Sequence, residues 1–582
     1  MENNSDVASL ISSYLDSGNY KEVLNVPHLD KFAKSFKDNC GDIISVIKSK
    51  ISDNTILLKP SLLGACEQML NLITEEVTPE EVLLEFIEQI EDAKNDAQFS
   101  LILNPLQKVL KKLTVKRGRT LEWCLNSISS YIEEIPIPEY NLEEKERLLL
   151  ECDDNIRRIG HVYSLVETFY KAFMIEFHSE DIDTKTRQVF CAFLISLIGK
   201  PLIFIDLDPA ANAQSELRHI CSHIINDICS LEKNVLTFLK YVEECSRENK
   251  LSRLNNDLEE DKSPYDHREK VNMTSLSGLF YVLFSGDFEI IDTAIPQVYK
   301  HKYIVHTVLL SVNHLLSFTE YGPQMKAVTL CKSLLILYPS NVSHTALLCP
   351  VHFNLLKGLV NVAIFSIYEH IRKHATQLIN THINKFEYKG RCMLIRYILE
   401  TANHSGMIGY AITLYKNSIN EAFNSPAIDE CFTGAQIMNM IKIICHLPHK
   451  AESDLVELAD QIITSLNFLR YLVIKDTLNL TGIRDNFQYI EEEYLEKLKI
   501  GLNMSKAHFE AKSRELDEDK TTSTDATDIS INVSGNMLDS IPLEKKKEIV
   551  HSSLNALHLI ESLHARLSEC MELAKTNVNI QK

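Results

Sequence analysis

An all-α fold, a HEAT- or armadillo-like helical repeat array in two parts, follows from three features of this chain. Apolar residues return at three- and four-residue intervals almost throughout, in segments of about 12 to 25 residues parted by short polar or proline-containing breaks. Gly (17) and Pro (16) are scarce in a chain of 582 residues, below their usual shares of roughly 7% and 5%. Strand-like alternation is scarce, and no βαβ pattern interrupts the helical spacing. Stacked helix pairs of about 40 residues fit these features; an antiparallel bundle reads the same locally, and the period is too degenerate to register the repeats.

The N-terminal array is expected over residues 1–245. EEVTPEEVLLEFIEQIED, Glu75 to Asp92, places carboxylates around one apolar stripe and reads as a solvated helix begun near Thr78 and Pro79. Close carboxylates do acid–base work only where their environments push their proton affinities apart, which this pattern does not suggest. The basic run KVLKKLTVKRGRT, Lys108 to Thr120, reads as a helix end and loop in acidic surroundings. From Glu146, ERLLLECDDNIRRIGHVYSLVETFYKAFMIEF has the spacing of an amphipathic helix, or two in succession. The most apolar stretch, Val189 to Leu207, is split by Gly199, Lys200 and Pro201. It reads as two buried helices, or a helix and its successor, too broken to span a membrane.

A charged segment at 246–270, almost without bulky apolar residues, reads as a linker or surface loop between the two arrays. The C-terminal array follows over 271–512. Residues 513–541, rich in Asp, Thr and Ser, are expected to be mobile. The closing stretch at 542–582 resumes helical spacing at Val550, Leu554, Leu557 and Ile560, with Pro542 placed to start it. Its apolar stripe needs a partner, so it is expected to pack on the C-terminal array.

Composition excludes several functions. Sixty basic against eighty acidic side chains give a net charge of −20, which repels phosphate backbones and argues against a nucleic-acid partner. The excess is uneven: residues 1–100 hold 8 Lys/Arg and 18 Asp/Glu, whereas 440–512 hold 9 and 11. The nearly balanced C-terminal part suits a mixed-charge protein surface. Fourteen cysteines without a CxxC pair, and an acidic, polar start lacking a secretory signal, point to a reducing, cytoplasmic setting. His219 and His223 have the spacing of helical metal ligands, but Ile220 stands where a zinc peptidase has Glu, and Cys221 lies on another face. Without a phosphate loop, a nucleophile elbow or a convincing ligand cluster, no enzyme, no cofactor and no metal site is expected.

Two neighbouring helices carry the strongest functional signal. In SLNFLRYLVIKD, Ser465 to Asp476, the stripe Ile462, Leu466, Leu469 and Val473 faces neighbouring repeats. Ile463, Asn467, Tyr471 and Ile474 lie about 100° away, so the helix is central in the stack or meets a partner on that side. In GLNMSKAHFEAK, Gly501 to Lys512, and the residues before it, Leu495, Leu498, Leu502, Ser505 and Phe509 form a stripe beside a polar row of Lys499, Asn503, Lys506 and Glu510. With ETANHSG (Glu400 to Gly406), FTGAQI (Phe432 to Ile437) and HLPHKAESDL (His446 to Leu455), these blocks occur in the same order as in the glomulin family, which the chain resembles. Ala435 stands where the family has Pro, Phe509 where it has Tyr, and the loop after Asp476 departs from it.

The resemblance implies a helical-repeat protein that binds the RING subunit of cullin-RING ubiquitin ligases, with its cullin, and covers the surface where the ubiquitin-conjugating enzyme docks. A blocker of such a shallow groove needs a modest apolar patch ringed by Arg, Lys or Asn. Asn467, Arg470, Tyr471, Lys475, Lys499, Asn503, Lys506 and His508 are the candidate contacts, with Arg470 the preferred anchor because guanidinium groups are over-represented among interface hot spots. The alternative is an adaptor for another protein, such as a prolyl isomerase or a receptor tail.

Overall fold

The structure, a computed structural model, describes residues 7–113, 117–139, 144–177, 183–210, 215–248, 263–267, 269–290, 298–518, 532–533, 536–537 and 543–580. Among these the fold is an all-α array of short-looped helices. Extended pairing is confined to a two-residue ladder, Asn532–Val533 with Asn536–Met537, and an isolated bridge from Val342 to Phe386. The chain forms two compact units, Met1–Tyr338 and Pro339–Lys582. The division falls after the charged segment at 246–270, whose described end is anchored within the first unit: Ser263 caps the turn Pro264–Asp266, Tyr265 packs edge-on against Phe238 and Tyr241, and Lys270 pairs with Glu122 at 2.6 Å.

In the first unit many helices pack on one or two helices farther along the chain. Pro79–Glu91 packs on Asp96–Lys112 and on Arg117–Glu133, which in turn packs on Thr184–Leu197. Helix starts follow local chemistry: Pro60 and Pro79 fill first-turn positions where the missing N–H costs nothing, and the Asn95 and Asp183 side chains accept from the backbone of Gln98 (3.0 Å) and Thr186 (2.9 Å). The stretch from Glu146 is divided into a 3-10 turn, Glu144–Cys152, and a helix, Asp154–Phe177. The basic run is spent on its neighbours where described, with Lys108 on Asn71 and Lys112 on the Thr74 carbonyl.

The apolar stretch becomes the helix Thr184–Leu197 and the 3-10 turn Leu202–Phe204, joined through a cis Lys200–Pro201 bond. By length and composition Thr184–Phe204 could cross a membrane, yet 78% of its most apolar window is buried within the fold. The segment after it is pinned by cations. Lys326, 3% exposed, donates to the Ile203 carbonyl at 3.0 Å and also to that of Ile205, while Arg147 grips Asp206 and Asp208 at 2.7 and 2.8 Å. Burial lowers the Lys326 ammonium to about 8, partly offset by Asp206. Removing Lys326 would leave buried carbonyls unpaired, which costs about 1–3 kcal/mol each.

In the second unit the helices Val351–Phe365, Glu369–Asn384, Tyr388–Thr401 and Ser405–Phe423 follow one another in contact; the last packs on Ala459–Lys475. Glu496–Glu518 runs past the expected end of the array at 512, and the rest of the 513–541 stretch, the short ladder apart, lies outside the described residues. The helix Leu543–Ile580 lies on both Ala459–Lys475 and Glu496–Glu518, burying Val550, Leu557, Ile560, Leu563, Leu567, Met571 and Ala574. Leu567→Ala, at a fully enclosed position, is expected to cost about 2–5 kcal/mol and to expose the final helix to rapid hydrogen exchange.

His352 and His382 are both fully buried, with ring nitrogens 3.0 Å apart and Phe386 edge-on to each. Burial lowers His382 to about 4, whereas an unfolded histidine titrates near 6.5. Between those values the unfolded chain binds a proton that the native chain refuses, so stability is lost as pH falls from about 6.5 towards 4. Between pH 7 and pH 5 the loss is about 2 kcal/mol. Hydrogen exchange of residues 351–384 at the two pH values should show it, and His352→Leu with His382→Leu should flatten it.

Candidate protein-binding surface

The 459–475 helix is held on two sides, by the 405–423 helix and by the C-terminal helix. Its wide apolar arc is therefore explained by a central position. Ser465, fully buried, donates within reach of the Gln461 carbonyl (2.7 Å) and the Ile444 carbonyl (3.1 Å), tying the helix to the end of Gly434–Ile444 without an orphaned polar group. A narrow strip remains open, carrying Asn467 and Ile474, with Lys475 at its end. Tyr471 is half-buried and donates to the Asn420 side chain at 2.8 Å, with the Lys416 ammonium 6.0 Å from its ring; burial raises its phenol proton affinity. Arg470 is half-buried too, and its Nε has no hydrogen-bond partner.

A tight turn continues this strip. Asp476, 2% exposed, accepts from the backbone of Leu480 and Thr481 (both 2.8 Å) and from the Thr481 hydroxyl (2.6 Å). Asn479 takes φ +53°, a region that Asn tolerates better than most residues, and Gly482 takes +78°. The turn thereby holds Leu478 and Leu480 outward, Leu478 at 78% exposure, beyond Ile474 at 55%. The sequence reading missed both leucines, because they lie outside any helical stripe; the signal available was an LxL pair inside a turn closed by Asp and Gly.

The 496–518 helix presents a second face. Lys499, Asn503 and His508 are exposed as expected, and between them Ile500 and Met504 stand open at i and i+4. Lys506 is not free: it pairs at 2.8 Å with Glu561 of the C-terminal helix, which holds the Glu561 carboxyl below its ordinary range. The eight candidates thus do not form one cluster. Tyr471 turns to the 405–423 helix and Lys506 to the C-terminal helix, leaving Lys475 beside the leucine turn, Asn467 farther back on the same helix, and Lys499, Asn503 and His508 beside Ile500 and Met504.

Near the start of the 496–518 helix, a pocket of about 170 Å³ is walled by Lys442, His446, Lys450, Tyr489 and Lys497. The Lys442 ammonium sits 5.4 Å from the Tyr489 ring, and Lys497 with Lys450 draws the Glu493 carboxyl below its ordinary range. One wall is a π-turn, Glu491–Leu495, a widening of the helix often found at functional sites. Glu493 lines the pocket as well and pairs with Lys497, so its lysines are partly matched from within.

His223 bonds Glu167 at 2.8 Å, His219 is exposed and Cys221 is buried on the opposite side. Among the described residues no three His, Cys, Asp or Glu side chains are grouped to hold a metal ion.

The model of a family described as uncharacterised, YAP/Alf4/glomulin, matches residues 42–545. Mouse (Mus musculus) glomulin is 28% identical over 522 residues, 87% of this chain and 84% of that protein. Human (Homo sapiens) glomulin is 28% identical over 512 residues, 86% and 83% respectively. A solved circular tandem repeat protein with novel repeat topology aligns over 98% of this chain and 96% of its own, at 10% identity and a TM-score of 0.18, too distant to inform the fold.

Asp476→Ala should strip three donors of their acceptor. Local protection of residues 477–482 against hydrogen exchange is expected to fall by about 2 kcal/mol, with far-ultraviolet helix content unchanged.

Proposed function

The chain belongs to the YAP/Alf4/glomulin family, and we propose that it is a non-enzymatic inhibitor of cullin-RING ubiquitin ligases, acting in the cytoplasm by binding the RING subunit and masking the docking surface of the ubiquitin-conjugating enzyme. One observation carries this reading on the structural side. The second unit leaves open two apolar strips with basic and amide neighbours: Ile474, Leu478 and Leu480 beside Lys475, and Ile500 and Met504 beside Lys499, Asn503 and His508. A shallow apolar groove is met by a small apolar centre with a polar rim, which is the composition of these strips. Inhibition by coverage requires no bond to be made or broken. The helices that carry the strips are buried along their other faces, so the strips are presented on packed supports.

The direct test is full-length protein with a purified cullin and RING heterodimer, read as affinity and as ubiquitin-chain formation. Wild type should bind and suppress chain formation. Leu478→Asp with Lys499→Glu should weaken binding at least about tenfold, or about 1.4 kcal/mol, and restore chain formation at unchanged helix content. Arg470→Glu separates the preferred anchor from the two strips. Inhibition by wild type with undiminished affinity in these variants would move the contact surface elsewhere.

The lysine-lined pocket favours a second reading, an adaptor that captures an acidic segment of another protein such as a receptor tail or a prolyl isomerase. Undisturbed chain formation in the presence of bound wild-type protein would select it over masking.

A further inference from the structure

A cavity of about 270 Å³ opens where the 388–401 helix meets the turn Glu430–Phe432 and the 434–444 helix. Four of its nine lining residues carry sulfur: Cys392, Met393, Cys431 and Met440. The whole chain has 14 Cys and 12 Met among 582 residues, fewer than one residue in twenty, so chance would supply less than one to such a lining. The convergence is also built from separate elements, two sulfurs from one helix, one from the turn and one from the next helix.

The two thiols adjoin and act directly on each other, and that contact together with burial raises the proton affinity of Cys392, which a bound metal ion has to overcome. Lys389, Cys392, Met393 and Arg396 share one face of their helix at i, i+3, i+4 and i+7, so the thiol and thioether open beside two cations instead of into the core. Neither Cys392 nor Cys431 is fully buried, in contrast to Cys66, Cys124, Cys191 and Cys331, which are enclosed and serve as small apolar side chains.

We propose that this cavity is a binding site for monovalent copper, with Cys392 and Cys431 as thiolate ligands and Met393 and Met440 as thioether ligands. Soft sulfur donors select Cu(I), whereas zinc asks for four nitrogen, thiolate or carboxylate ligands; Glu430 also lines the cavity, but among the described residues no three such groups are drawn together to hold an ion. Binding is a ligand exchange without redox change: Cu⁺ and two thiols give a bis-thiolate complex of charge −1 and release two protons. Lys389 and Arg396 at the cavity wall, with Arg391 nearby, attract that charge, against the carboxylates of Glu430 and Asp429.

The test uses reduced, full-length protein under anaerobic conditions, titrated against the bis-bicinchoninate complex of Cu(I). The variant Cys392→Ser/Cys431→Ser is expected to bind one Cu(I) per chain fewer than wild type, at unchanged helix content. Met393→Leu/Met440→Leu keeps that ion but holds it at least about tenfold more weakly. X-ray absorption of the one-equivalent complex should show sulfur ligands alone. Equal stoichiometry in wild type and the double serine variant would overturn the assignment, as would nitrogen or oxygen ligation. So would a Cys392–Cys431 disulfide formed with peroxide in protein that withdraws no copper, which would assign the pair to thiol oxidation.

Discussion

The burial of one apolar stripe, that of the C-terminal helix, governs the second unit. Seven apolar side chains from Val550 to Ala574, at spacings of three, four and seven, are covered by the 459–475 and 496–518 helices. At about 1.5–3 kcal/mol for each large buried side chain, the gross gain is on the order of 10 kcal/mol before chain entropy is subtracted. No single polar contact competes with that. The ion pairs along the same seam, Lys506 with Glu561, Lys547 with Asp517 and Lys575 with Glu491, are largely exposed and contribute little to stability. Their effect is on register, because each joins the final helix to a different point of the 491–517 stretch.

Where polar groups are buried, they fix loops that apolar packing would leave free to slide. Ser465 and Lys326 each satisfy backbone groups from a second segment, Asp476 those of its own turn, and each is nearly inaccessible to water. Lys326 shows the cost of this arrangement most clearly: its ammonium is desolvated enough to lose proton affinity, and what keeps it in place is the set of carbonyls that would otherwise be orphaned. A helical array gains its bulk stability from stripes that resemble one another, so such singular contacts distinguish one packing from its near neighbours.

The helical spacing carried most of the fold. Pro79 starts a helix, the Val189 to Leu207 stretch divides near Pro201, and Ile462, Leu466, Leu469 and Val473 face inward as their spacing requires. Periodicity is silent on which neighbour covers the flanks of a stripe. Leu554 carries the same spacing as Val550 and Leu557 yet is only half-buried, and Lys506 has the pattern of a free rim residue yet meets Glu561. Both outcomes depend on the crossing of helices far apart in sequence. Leu478 and Leu480 escaped for the opposite reason, since their exposure is set by a turn whose geometry rests on Asp476 and a positive φ at Asn479. The sulfur cavity was equally hidden, because Cys431 and Met440 lie about forty residues or more beyond Cys392 and Met393 and come together only through the fold.

The masking role proposed above places its own constraint on the fold. A protein in that role must hold a small apolar surface open to water without letting it collapse into its own core, and the ordinary tendency of Ile474, Ile500 and Met504 would be to bury. The fold opposes that tendency on both strips by the same means. Each supporting helix already spends its apolar arc on neighbours, so rotating it to hide an exposed residue would bring Leu466 and Leu469, or Leu498 and Leu502, out to solvent. A turn of about 100° exchanges one or two exposed side chains for at least as many buried ones. The exposed residues therefore stay outward because the buried ones are better placed, and a partner that covers them gains their desolvation without having to reorganise the helices beneath.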